Sequence, residues 1–91
     1  MEIRPALRNV LEIVGRLVHY DINTNVVDTS VVQHCDSPSS LVYDCLEELE
    51  SLGLIKMLQP IGDTKEKKDA ETFRLLNITK EGLKELQPNH Q

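Results

Sequence analysis

The sequence predicts a mainly α-helical domain carrying one small β-hairpin, with its elements in the order helix, short strand, helix, helix, strand, loop, strand, helix. Three observations predict it. Ser37 to Ile55 reads as a capped helix that passes through a glycine stop straight into a strand. Apolar residues recur at helical spacing from Pro5 to about His19. A second run of strand formers, Thr72 to Ile78, follows the first strand across a stretch of loop chemistry.

In the first helix Leu7, Val10, Leu11, Val14, Leu17 and Val18 make one apolar stripe. Asp21-Ile22-Asn23-Thr24-Asn25 is turn-rich, and Val26-Val27 forms a very short strand before Asp28 or Thr29 caps the second helix, from about Thr29 to Cys35. Asp36-Ser37 is a tight connection, so the second and third helices form a helix-turn-helix pair. Ser37 accepts from the first free N–H groups of the third helix, and Pro38 suits its first position because it has no N–H to satisfy. Val42, Cys45, Leu46, Leu49 and Leu52 face inward; Ser39, Ser40, Asp44, Glu47, Glu48 and Ser51 face outward. Gly53 supplies the left-handed residue that ends the helix, which places Leu54 against Leu49.

Leu54 to Leu58 and Thr72 to Ile78 then pair as a hairpin. Gln59 to Glu71, between them, holds Pro60, Gly62, Asp63 and the mixed-charge run Lys65-Glu66-Lys67-Lys68, and forms the hairpin tip. Thr79 caps a last helix through Leu83 and Leu86, which ends before Pro88 and leaves residues 88–91 as a fraying tail. Residues 1–91 read as a single domain without internal repeat.

Composition narrows the function classes. Ninety-one residues that are 40% hydrophobic support one core, burying roughly 60–65% of the surface of the unfolded chain. A cleft enzyme is hard to fit into that volume. Tyr20, Tyr43 and Phe73 are the only aromatics, which disfavours the base-stacking platforms of single-strand binders. Arg4, Arg8 and Arg16 interrupt the N-terminal apolar positions, so neither a signal peptide nor a membrane span is expected and the chain reads as soluble and cytoplasmic.

Cys35 and Cys45 do not match a zinc pattern, and they read as small buried hydrophobes, with a redox pair or an intersubunit disulfide as alternatives. His19, His34 and His90 are scattered, without a nucleophile and base at a known spacing. No catalytic residue, metal site or cofactor is expected.

The element order resembles that of winged helix-turn-helix transcriptional regulators of the MarR and PadR kind, and two local segments agree with it. Leu49-Glu50-Ser51-Leu52-Gly53-Leu54-Ile55 repeats the leucine, charged residues and Gly-Leu-Ile that close the recognition helix in such families. Leu75-Leu76-Asn77-Ile78-Thr79-Lys80-Glu81-Gly82-Leu83 resembles their leucine-threonine-charged-charged-glycine passage into the last helix. Tyr43 stands where PadR-like proteins commonly carry a tyrosine. The resemblance covers about residues 5–87 and implies a winged helix-turn-helix domain, with the third helix, about 38–52, as the reader in the major groove. The hairpin tip, about 59–71, becomes the wing, and the partners are double-stranded DNA and a second copy of the chain. Such regulators usually continue into long dimerisation helices. This chain stops about a dozen residues after Thr79, so the first helix or the short last helix is the expected dimer contact.

In that reading Ser39, Ser40 and Tyr43 reach base edges or phosphates from the start of the third helix. Asp44 either accepts from a cytosine amino group or lies on a solvated face. Lys65, Lys67 and Lys68 on the wing, continued by Lys56 and Arg74 on the strands, supply backbone contacts or stay solvated beside Asp63, Glu66 and Asp69. Against it stand the net charge of −5 and a third helix with Asp44, Glu47, Glu48 and Glu50 but no Lys or Arg. The row Asp44, Glu47, Glu48, Ser51 therefore supports the alternative of an interaction module that docks a basic protein partner, or else a solubilising face.

Overall fold

A computed structural model describes residues 3–58 and 74–87. The expected wing with Lys65, Lys67 and Lys68, the start of the second hairpin strand at Thr72 and Phe73, and the tail at 88–91 lie outside the described residues. Among the described residues the chain forms four helices and a three-stranded antiparallel sheet, in the order expected: α1 (Pro5–Leu17), β1 (Val26–Val27), α2 (Asp28–His34), α3 (Ser39–Ser51), β2 (Ile55–Leu58), β3 (Leu75–Ile78) and α4 (Lys80–Leu86).

The core is aliphatic. Leu7, Val10, Leu11 and Val14 of α1, with Val18 just beyond it, pack with Val31 of α2, Val42, Cys45, Leu46 and Leu49 of α3, and Leu54, Ile55, Leu76 and Ile78. Each enclosed Leu, Ile or Val contributes roughly 1.5–3 kcal/mol. Two expectations for the stripes fail at helix ends: Leu17 is only half-buried, and Leu52 is 39% exposed because it occupies the C-cap of α3. α1 itself stops at Leu17 rather than near His19. His19 and Tyr20 both turn left-handed, at φ 57° and 55°, and the Tyr20 amide closes the turn by donating to the Gly15 carbonyl at 2.7 Å.

The start positions of the two middle helices also differ from expectation. α2 opens with Asp28 already helical and Val27 in the cap position, so neither Asp28 nor Thr29 caps it. α3 starts at Ser39 with Pro38 as its cap residue; extended at φ −60° and ψ 146°, Pro38 has no side-chain acceptor and uses its carbonyl, which accepts from Leu41 at 3.0 Å and Val42 at 3.1 Å. The turn between α2 and α3 therefore spans Cys35 to Pro38, and no side chain caps α3.

The C-terminus of α3 follows the expected closure. Gly53 sits at φ 81°, its amide donates to the Glu50 carbonyl at 2.9 Å, and the Leu54 amide donates to the Leu49 carbonyl at 3.0 Å, with Leu49 and Leu54 both enclosed. β2 begins one residue later than expected, at Ile55, because Leu54 is used in that closure. The sheet order is β1-β3-β2, with Val26 opposite Leu76, Ile55 opposite Ile78 and Met57 opposite Leu76 on the core side.

Thr79 joins the end of α3 to the start of α4. Its hydroxyl oxygen accepts from the Gly82 amide at 3.0 Å, as expected of a cap, and lies 2.8 Å from the Gly53 carbonyl and 3.0 Å from that of Leu54, so it can donate to either. The Thr79 amide also donates to the Leu54 carbonyl at 3.1 Å. Thr79→Val is accordingly expected to cost about 1–2 kcal/mol, read as a lower urea midpoint, with Thr79→Ser recovering most of the loss. An unchanged midpoint in the valine variant would remove the hydroxyl from this account.

Candidate nucleic-acid interface

Helical geometry divides the outward face of α3 into a centre and two flanks. At 100° per residue Ser40, Asp44, Glu47 and Ser51 form the central line, opposite the buried Val42, Cys45, Leu46 and Leu49. Tyr43 and Ser39 lie on one flank, Leu41 and Glu48 on the other. Ser39, Ser40, Tyr43 and Asp44 are all exposed, and they share the first half of the helix. The acids Glu47, Glu48 and Glu50 sit in the second half, so the end with the positive helix dipole has no charged side chain in its first turn.

Glu48 is tied across to α1's leading residue. The Arg4 guanidinium donates to Glu48 Oε1 at 2.9 Å, with the two side chains 62% and 45% exposed. So open a pair contributes at most about 1 kcal/mol to stability. It offsets the charge of one acid in the row Asp44, Glu47, Glu48, Ser51, on the flank of the face, and leaves Asp44 and Glu47 on the central line. Arg4 and Glu48 are 44 positions apart, and no local pattern announces their meeting.

α3 also packs against α2. Asp28 is only 3% exposed, its amide donates to the Arg74 carbonyl at 3.0 Å, and its Oδ1 has no hydrogen-bond partner among the described residues. Tyr43 faces this carboxylate. Burial pushes the Tyr43 phenol up from its ordinary value, the charge of Asp28 and a hydrogen bond to it push the same way, and Arg74 opposes them. Arg74, expected at the interface, is thus linked through its carbonyl to Asp28, a residue that the sequence presented only as a cap candidate.

The strand register separates Arg74 from Lys56. Lys56 pairs with Asn77 on the outer face of the sheet, beside Leu58 and Leu75, whereas Arg74 precedes Leu75 by one residue and falls on the parity of the inward Leu76. Lys56 and Arg74 therefore differ in parity along the hairpin, and both are exposed. Lys65, Lys67 and Lys68 lie outside the described residues.

Cys35 and Cys45 line one cavity of about 50 Å³ together with Ala6, Asn9, Val10 and Leu41. That volume holds a water or two, far less than the several hundred Å³ of a ligand pocket. Burial pushes both thiols up; Cys45 and Asp36 raise Cys35 further, while at Cys45 the Arg4 guanidinium opposes and Glu48 and Asp44 add to the rise. The thiolate is the reactive form. Both cysteines are therefore expected to react with an aromatic disulfide reagent at neutral pH several-fold more slowly than free cysteine, and at the ordinary rate once urea unfolds the chain; fast reaction of the folded protein would contradict this placement.

Among the described residues no group of three or more His, Cys, Asp or Glu side chains is placed to hold a metal ion, and no helix is long and apolar enough to cross a membrane. No protein-family model, curated protein or solved structure matches the chain.

Proposed function

We propose that this chain is a winged helix-turn-helix regulator that binds double-stranded DNA, with the first half of α3 in the major groove and the segment at 59–71 as a wing along the backbone. The observation that carries the reading is the exposed N-terminal half of α3: it is uncapped by any side chain, free of charge in its first turn, and lined by Ser39, Ser40 and Tyr43. Open backbone N–H groups and the helix dipole favour phosphate there, and serine hydroxyls serve either donors or acceptors on base edges. Asp44, at the end of this patch, is suited to accept from a cytosine amino group.

The acids of the second half of α3 fall where the helix leaves the groove, and Arg4 offsets Glu48. Arg74, with Lys65, Lys67 and Lys68 on the wing, supplies the phosphate contacts that give affinity. Pairing of two copies through α1 or α4 completes the reading. Tyr20 is 49% exposed where these helices meet, and its ring carbons Cε1 and Cδ1 lie over Gly15 of α1.

Titration of a fluorescent random-sequence duplex tests it. The protein is expected to bind at low salt with micromolar affinity or better and to lose affinity steeply as salt rises. Arg74→Ala is expected to weaken binding and to flatten the log–log salt slope by about 0.9, the value of one phosphate contact. No binding at low salt and micromolar protein would overturn the proposal.

A further inference from the structure

A positively charged cleft lies on a part of the surface that the DNA-binding reading leaves unused. Its volume is about 360 Å³, and it is formed by the outer face of the sheet, the loop before β1 and the start of α4. Ile22 and Ile78 make its floor, and Asn23, Asn77, Lys56 and Lys80 supply its polar groups. The strand register explains the grouping. Lys56 of β2 stands opposite Asn77 of β3, so the two side chains leave the sheet on the same outer face. Asn77 is held from its other side, where Nδ2 donates to Asn25 Oδ1 at 3.1 Å, which leaves one amide hydrogen and the amide oxygen for a ligand. Lys80 follows Thr79, whose hydroxyl, set between the Gly53 and Leu54 carbonyls and the Gly82 amide, fixes the turn from β3 into α4.

Two ammonium groups on one cleft repel, and no side chain lining it answers them. None of the lining residues is an acid, and among the described residues neither Lys56 nor Lys80 has a carboxylate at ion-pair distance. The acids nearest in sequence are engaged elsewhere. Asp21 accepts from the Asn23 amide at 2.9 Å and from the Thr24 hydroxyl at 3.1 Å, and Glu81 pairs with Lys84 at 4.0 Å. On a chain of net charge −5, such a cleft is a local inversion of charge, and its field selects anions.

We propose that this cleft binds a small phosphomonoester, with the phosphate between Lys56 and Lys80, its oxygens accepting from the Asn23 and Asn77 amides, and the organic body against Ile22. A phosphate monoester carries a charge of about −1.5 to −2 at neutral pH, which two ammonium groups match. The volume is that of a small-ligand site. A phosphodiester of the duplex backbone carries a single charge and matches the pair less well. The cleft also lies far from the proposed DNA surface: Thr79 joins it to the Ser51 end of α3, and the helix runs about 18 Å from there to Ser39. The site therefore stands independently of the DNA-binding reading.

Titration of the isotope-labelled full chain with phenyl phosphate, at low salt and neutral pH and followed by amide NMR shifts, tests it. Phenyl sulfate, close in shape but singly charged, is the comparison. Phenyl phosphate is expected to saturate with a Kd of about 1 mM or tighter, with the largest shifts at Asn23, Lys56, Asn77 and Lys80 and at the Asn77 side-chain amide. Phenyl sulfate should bind about fivefold more weakly, the worth of one net contact. Lys56→Gln and Lys80→Gln, both at exposed positions, should each weaken phenyl phosphate by about fivefold and leave the rest of the amide spectrum in place. Wild-type shifts that fail to saturate, or that centre on other residues, overturn the proposal. So does affinity unchanged in the Lys56→Gln/Lys80→Gln double variant, or equal affinity for the sulfate.

Discussion

Gly82→Ala is expected to be the most damaging single-methyl change in the described part of the chain. A Cβ at position 82 would press into the Leu54 carbonyl oxygen, approach Ile78 Cγ1 to 2.7 Å and lie 3.2 Å from the Leu54 carbonyl carbon. Two of these three obstacles are backbone atoms, and that backbone is pinned from both sides: the Leu54 amide donates to Leu49 and the Leu54 carbonyl accepts from Thr79. The helix cannot retreat without giving up the Thr79 cap. Alanine gains about 1 kcal/mol of helix propensity over glycine, but overpacking against a fixed backbone should outweigh that gain and cost about 3 kcal/mol net. Against a total of about 5–13 kcal/mol for a chain of this length, that is a severe loss. It should appear as a fall of roughly 12–24 °C in Tm. Gly15→Ala provides the contrast. There the obstacles are side-chain tips, Leu86 Cδ1 at 2.7 Å and Tyr20 Cε1 at 3.1 Å, which can shift, so the change is expected to stay within about 1 kcal/mol. Equal effects of the two variants would contradict the packing described.

Ser40→Glu is expected to weaken duplex binding at least about tenfold while leaving the fold intact, because the new carboxylate would face phosphate at the centre of the proposed interface. Its effect on stability has the opposite sign. The first turn of α3 holds no acidic side chain, and an acid there is favoured by the helix dipole by about 0.3–1 kcal/mol. The variant should therefore unfold at the same or a higher urea concentration while its affinity collapses, a combination that general misfolding cannot produce. Ser51→Glu, on the same line of the helix but at its far end, should leave binding nearly unchanged. Loss of affinity in both variants alike would place the interface elsewhere on α3.

Local signals in the chain were informative where local physics decides the outcome. The apolar stripes of α1 and α3 follow from spacing alone, and the Gly53 stop follows from the left-handed conformation that the closure requires. α3 starts one residue later than the pair Ser37 and Pro38 suggests, because Pro38 itself takes the cap position with its carbonyl. Gly82 could be recognised as part of a motif, but its reason, the approach to Leu54, arises only when α4 folds back on the end of α3. Of the candidate interface, the exposure of Ser39, Ser40 and Asp44 is legible from periodicity, whereas Tyr43 enters only through the family resemblance. The burial of Asp28 is not legible, since an aspartate after a short strand reads as a cap, whereas in the fold it opens α2 and its amide donates to the Arg74 carbonyl. The separation of Lys56 from Arg74 likewise depends on strand register.

The central claim is that the first half of α3 contacts DNA, and the most direct measurement is a map of backbone amide NMR shifts on adding a short duplex at low salt. The largest shifts are expected at Ser39, Ser40, Tyr43 and Arg74, with little change along α4 or in the second half of α3. Shifts centred on Glu47 and Glu50, on α4, or absent throughout would contradict it.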